Sequence, residues 1–156
     1  MTNVTIRQGQ KDDMSGIFNL VKELAMYENA LSELTNTEDR MIQDGFGDRA
    51  YFHSFVAELN QDIVGVVLYY FSYSSWKGKS MYIDDLIVTE SHRHTGIGRA
   101  LFNACLSEAK QQQVYKLHWQ VLDWNASAID FYKKIGASFD AEWINCKILH
   151  EQIQQS

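Results

Sequence analysis

Proline is missing altogether from the 156 residues, and cysteine is confined to Cys105 and Cys146. Two cysteines so far apart form no metal-ligand pair, which leaves them as buried thiols in a reducing compartment. No Pro-rich or Gly/Ser-rich linker, low-complexity tract or internal repeat divides the chain, so a single domain spanning 1–156 is expected. Long apolar runs are also lacking. The longest, around residues 63–71, is about half a membrane span, and the N-terminus carries no basic segment followed by an apolar stretch. The expectation is a cytoplasmic protein without a membrane partner. Basic residues are the minority, 14 Lys and Arg against 20 Asp and Glu, for a formal charge of −6. That balance argues against a nucleic-acid surface and for a cationic partner. What is present is ample core material: 46% of the residues are hydrophobic and 13% aromatic.

Val4 and Ile6 alternate with polar neighbours, which suggests a short strand. Met14, Ile17, Phe18, Val21, Leu24 and Ala25 then follow helical spacing, and this helix should end near Glu28. Thr35 and Glu38 suggest a capping box for a second helix stopped by Gly45 and Gly47. Residues 51–59 and 63–71 read as strands joined by a turn at 60–62, followed by a loop at 72–79 and a strand at 81–88. Ile97, Ala100, Leu101, Ala104, Cys105 and Ala109 mark a helix, and residues 114–121, 127–134 and 143–149 read as strand, helix and strand. The order strand, Gly-rich turn, helix, strand is a crossover that places its two strands parallel. The hairpins before it make the α/β sheet mixed.

The turn Arg93-His94-Thr95-Gly96-Ile97-Gly98-Arg99 carries the strongest chemistry. Backbone N–H groups at a helix start lack intrahelical acceptors, and glycines let a bulky anion approach them. Arg93 and Arg99 add positive charge, so two linked phosphates fit. A Gly-x-Gly-x-x-Gly fingerprint followed by an acid is absent, as is Gly-Lys-Ser/Thr, which lowers the dinucleotide and ATP readings.

Residues 88–101 resemble the coenzyme A motif of the GNAT N-acetyltransferase superfamily. KELAMYEN (22–29), DGFGD (44–48), YYFSYSSWKGKSMYIDDLIV (69–88) and VLDWNASAIDFYKKIGA (121–137) extend the resemblance to the diamine acetyltransferases, both the spermidine/spermine and the thialysine type. SSWKGK and VLDWN look more like the thialysine type. The resemblance implies the acyl-CoA N-acyltransferase fold, a mixed, splayed β-sheet flanked by helices. It implies acetyl-CoA as cosubstrate, with its pantetheine along the backbone of Leu86, Ile87 and Val88 and its pyrophosphate on the turn. It also implies a homodimer.

Amine acetylation needs a neutral nitrogen beside the thioester, a route for its proton and a donor for the leaving thiolate. Asp84 and Asp85 interrupt an apolar strand, and alternation would point them to opposite faces. They serve either a substrate cleft or a structural cap. The resemblance places Asp84 where relatives usually carry a proton-relaying glutamate, and the shorter side chain leaves room for a water. Tyr132 reads as a core tyrosine from the residues alone and as the general acid by resemblance. Asn125 either caps the helix that follows or holds a pantetheine amide. Tyr27 and Glu28 would bind the cationic substrate by resemblance, and otherwise form a solvated helix end. Trp76 and Trp124 could pack along its aliphatic body or serve core or interface roles. The five histidines make no metal site. The functional expectation is direct acetyl transfer to a small lysine-like amine or polyamine. A CoA-binding regulatory module and acetylation of a peptide or other amine are the alternatives.

Overall fold

The computed structural model describes residues 3–156. Two compact units make up the chain, one ending at Gln120 and one running from Val121 to Ser156. In the first, β1 (Thr5–Gln8), β2 (His53–Leu59), β3 (Asp62–Ser74), β4 (Gly78–Val88) and β5 (Leu117–His118) form one sheet in that order. The first four strands pair antiparallel, and β5 runs parallel to β4. Short hairpin turns enforce the former for β2–β3 and β3–β4, while β1 reaches β2 through two α-helices. The crossover through α3 (Ile97–Gln111) produces the latter, as expected.

The β2–β3 turn places Asn60 and Gln61 at φ 51° and 73°, left-handed values whose twist matches that of the flanking strands. The loop expected at 72–79 is mostly strand, because pairing continues to Ser74 opposite Gly78. Serines that alternate with Tyr73 suit a strand with one wet face, and the Ser72 and Ser80 hydroxyls lie 2.6 Å apart across the ladder.

One sheet face is covered by α1 (Met14–Tyr27) and α2 (Glu38–Phe46). Met14, Ile17, Phe18, Leu20 and Met41 pack there with Val56, Val66, Leu68 and Ile87. Thr37, rather than the expected Thr35, caps α2 by accepting the Arg40 N–H at 3.2 Å. Thr35 is engaged in the preceding turn, where its N–H donates to the Glu33 carbonyl at 3.0 Å. The opposite β3 parity meets α3. A Cβ at Gly65 would lie 3.0 Å from Leu101 Cδ1 and 3.2 Å from Ile97 Cγ2, so glycine there admits the close approach of the helix. Arg7 ties β1 to the sheet and to the start of α1. It donates to both Asp13 oxygens, at 2.7 and 2.8 Å, and to Glu58 at 2.7 Å.

The second unit contains α4 (Ala126–Lys134) and α5 (His150–Gln154). The strand expected at 143–149 is not formed, and Trp143, Ile144, Ile148 and Leu149 are exposed. A strand exists only where a neighbour pairs with its backbone, and this unit supplies none. The strand expected at 114–121 likewise shortens to Leu117–His118.

Candidate active site

At the end of β4 the chain makes a 3-10 turn over Glu90–His92 and then twists through His94 (φ 62°) and Gly96 (φ 91°) into α3. Gly96 is needed because an L side chain rarely tolerates that backbone conformation. The first intrahelical bond is Ala100 N–H to the Gly96 carbonyl at 3.0 Å. The N–H groups of Ile97, Gly98 and Arg99 therefore have no intrahelical acceptor. This cradle suits a pyrophosphate. Arg99, His94 and Thr95 are exposed around it, whereas the Ile97 side chain is core and only its backbone is offered.

The two expected arginines differ in engagement. Arg99 forms no ion pair among the described residues. Arg93 is held in place: Nε donates to the Val88 carbonyl at 3.0 Å, Nη2 lies 3.7 Å from Glu23 Oε1, and the guanidinium sits 5.1 Å from the Tyr27 ring centroid.

Asp84 and Asp85 occupy a β-bulge. Leu68 pairs with Asp85 and Tyr69 with Ile83, so Asp84 has no opposite residue on β3. Strict alternation therefore does not carry through the two aspartates, contrary to expectation. The charge of Asp84 reaches Asp85, Tyr70 and Tyr82. Burial, reinforced by Asp84 and Glu28, pushes the Asp85 carboxyl up to about 7. Lost hydration also raises Asp84 and Glu28. None of these three carboxylates forms an ion pair among the described residues. They concentrate negative charge at the C-terminal end of α1 and the bulge of β4.

Beside the bulge stands a wall that sequence reasoning missed. The Tyr70 and Tyr82 rings lie 5.2 Å apart, and His118 meets Tyr82 edge-on at 4.9 Å. Ser72 Oγ is 3.3 Å from His118 Nε2. Burial and Lys116 lower the His118 pKa. The period-2 positions 70, 72, 80 and 82 were the available signal, but the pairing register that joins them is not written in either strand alone. Glu23 was missed too, although it lies one helical turn before Tyr27.

Leu86, Ile87 and Val88 pair inward with β3 at Val67, Val66 and Gly65. The β4–β5 ladder holds only Met81 opposite Leu117 and Tyr82 opposite His118. Trp76 sits at the β3–β4 hairpin tip, 92% exposed. Asp84 lies six residue steps along β4 from Gly78, roughly 20 Å of strand, so the structure does not bring Trp76 to the acids. In the second unit Asn125 caps α4, accepting the Ala128 N–H at 3.3 Å. Tyr132 meets the Phe131 ring edge-on at 5.5 Å, and Trp124 is exposed. Burial pushes the Cys105 thiol up to about 12, which removes it as a nucleophile. Among the described residues no group of metal-ligating side chains gathers, and no helix is long and apolar enough to cross a membrane.

Comparison with known proteins gives a consistent result. The acetyltransferase (GNAT) family matches residues 17–137. Thialysine N-epsilon-acetyltransferase of Bos taurus is 36% identical over 156 residues, covering 94% of this chain and 92% of its own. A Homo sapiens spermidine/spermine N(1)-acetyltransferase-like protein 1 is 35% identical over 139 residues, covering 85% of this chain but 20% of the longer relative. Among solved structures, an integron cassette protein from the mobile metagenome of V. cholerae superposes with a TM-score of 0.81 at 23% identity, over 99% of this chain and 97% of that one. The expected mixed sheet flanked by helices is thus the fold of this family.

Proposed function

The chain belongs to the acetyltransferase (GNAT) family, and on that premise we propose that it transfers acetyl from acetyl-CoA to the primary amine of a small cation, thialysine- or lysine-like, or a diamine or polyamine. The observation that carries this reading is the set of Glu28, Asp84 and Asp85, three carboxylates whose proton affinity burial raises, that of Asp85 further through the charges of Asp84 and Glu28, and which have no ion-pair partner among the described residues. A bound ammonium would relieve their repulsion, and the Tyr70–Tyr82 wall offers ring faces to its carbon chain.

Acetyl-CoA supplies the activated thioester. The cradle at Gly96, Ile97, Gly98 and Arg99 would hold its pyrophosphate, with His94 and Thr95 beside it and Arg93 behind, and the backbone of Leu86, Ile87 and Val88 would align its pantetheine. An ordinary carboxylate is too acidic to take a proton from an alkylammonium efficiently. Asp85, pushed up to about 7, is better matched, and the exposed Asp84 relays the proton to water. The amine nitrogen forms the new bond to the acetyl carbon as the bond to sulfur breaks. Tyr132 is assigned as the proton donor to the thiolate, and Asn125 as a pantetheine partner in addition to its cap. These roles rest on the family match, which includes both residues. Tyr27 and Glu28 are assigned to bind the amine and Trp124 to its aliphatic body, whereas Trp76, at the far tip of the β3–β4 hairpin, is left out of this set. The match crosses residue 120, which supports one acetyltransferase domain over 1–156. We also propose a cytoplasmic homodimer that has neither nucleic acid nor membrane as partner.

The test is CoA release from acetyl-CoA with thialysine, lysine, ornithine, putrescine, spermidine, spermine and a basic peptide. Faster release with the lysine-like amines is expected. Preference for polyamines would move the assignment to diamine acetylation, and no release despite acetyl-CoA binding would favour a regulatory CoA-binding module.

A further inference from the structure

Glu23 lies on α1, yet its carboxylate is spent on the turn after β4. Oε2 accepts the Thr89 hydroxyl at 2.9 Å, and Oε1 accepts the Glu90 N–H at 2.8 Å. The same Oε1 is 3.7 Å from Arg93 Nη2. Glu23 thus satisfies an N–H at the start of the 3-10 turn and neutralises the first arginine of the phosphate turn. Arg93 in turn lies over the ring of Tyr27, four residues along the same helix, and grips the Val88 carbonyl. Tyr27 adjoins Glu28, whose charge reaches Asp85. One side chain therefore joins the turn proposed for the pyrophosphate to the helix end proposed for the amine.

We infer that Glu23 is a positioning residue that sets the phosphate turn and the amine-binding end of α1 in one fixed relation. This rests on the function proposed above. Glu23 touches neither substrate. It acts through Arg93 and Thr89 on one side and through its own helix on the other. Its hydrogen bonds are charge-assisted, that from Thr89 partly buried and that from the Glu90 N–H exposed, and their directions are fixed by two separate acceptor oxygens.

The test is steady-state kinetics of the full-length Glu23→Ala, Glu23→Gln and Thr89→Val variants, with acetyl-CoA and thialysine, or spermidine if the amine panel favours it. In Glu23→Ala the KM values for acetyl-CoA and for the amine both rise roughly tenfold, the loss of one or two charge-assisted bonds, while kcat stays within about twofold. Glu23→Gln and Thr89→Val, which keep part of the contact set, show smaller rises in both. If only one KM moves, the inference is overturned, because the two subsites are then not joined. A purely structural residue would lower apparent kcat through loss of active enzyme and leave both KM values in place, which also overturns it. Should Glu23→Ala fail to fold, the two milder variants decide by the same criteria. Wild-type protein that releases no CoA with any amine would overturn the function itself, a result distinct from unchanged KM values in active variants.

Discussion

Asp85 shows how much one side chain owes to its surroundings. Its carboxyl is pushed up to about 7, so kcat/KM should rise as pH passes through that value and the group ionises. Asp85→Asn removes this inflection and lowers kcat/KM roughly a hundredfold, as a pH series of initial rates would show. Stability moves the other way. The folded state binds this proton more tightly than the unfolded state does, so the contribution is complete below about pH 4 and is lost as pH rises through about 7. Asp85→Asn is therefore more stable than wild type at pH 8, on the order of 2 kcal/mol, and nearly equal at pH 4 in urea unfolding. The sequence marks Asp84 and Asp85 as anomalies in an apolar strand. It does not reveal the bulge, because a register shift is a property of two strands and the sequence states each one separately.

Elements are held by a few directional contacts at their ends. Arg7 joins β1, β2 and the residue preceding α1, and its guanidinium holds the Asp13 carboxyl below the usual carboxylate range. Arg7→Ala should cost about 1–2 kcal/mol at pH 7, discounted for partial exposure. A depressed carboxyl contributes stability above its unfolded pKa of about 4 and loses it as pH falls through the folded value. The gap between Arg7→Ala and wild type in thermal or urea unfolding therefore closes toward pH 2. At the start of α3, Gly96 holds φ 91°. Gly96→Ala strains the backbone by about 1 kcal/mol or more and raises the KM for acetyl-CoA roughly tenfold, with little change in the amine KM. Helices α1 and α3 were legible because their apolar positions recur at helical spacing. Residues 143–149 misled for the opposite reason, since their strand-like composition has no partner strand within their own unit.

For the molecule as a whole, the proposed homodimer predicts a light-scattering mass about twice the 18.0 kDa of one chain, and a monomer at micromolar concentration would refute it. The exposed Trp143 and Ile144, 81% and 88% accessible, give such an association apolar surface to bury. The sequence alone determined the mixed sheet, the glycine turn that opens α3 and the family, because each is written in local order: alternation, helical spacing, glycines at fixed intervals and motifs in succession. Only the tertiary structure decided which groups act on one another. It set Asp85 against Asp84 and Glu28, tilted the Tyr70 ring against Tyr82 beside His118, and left Trp76 at a hairpin tip. It also committed Arg93 to Glu23 and Tyr27, more than sixty residues away along the chain. Electrostatic and packing energies depend on distance in space, and distance along the chain does not encode it.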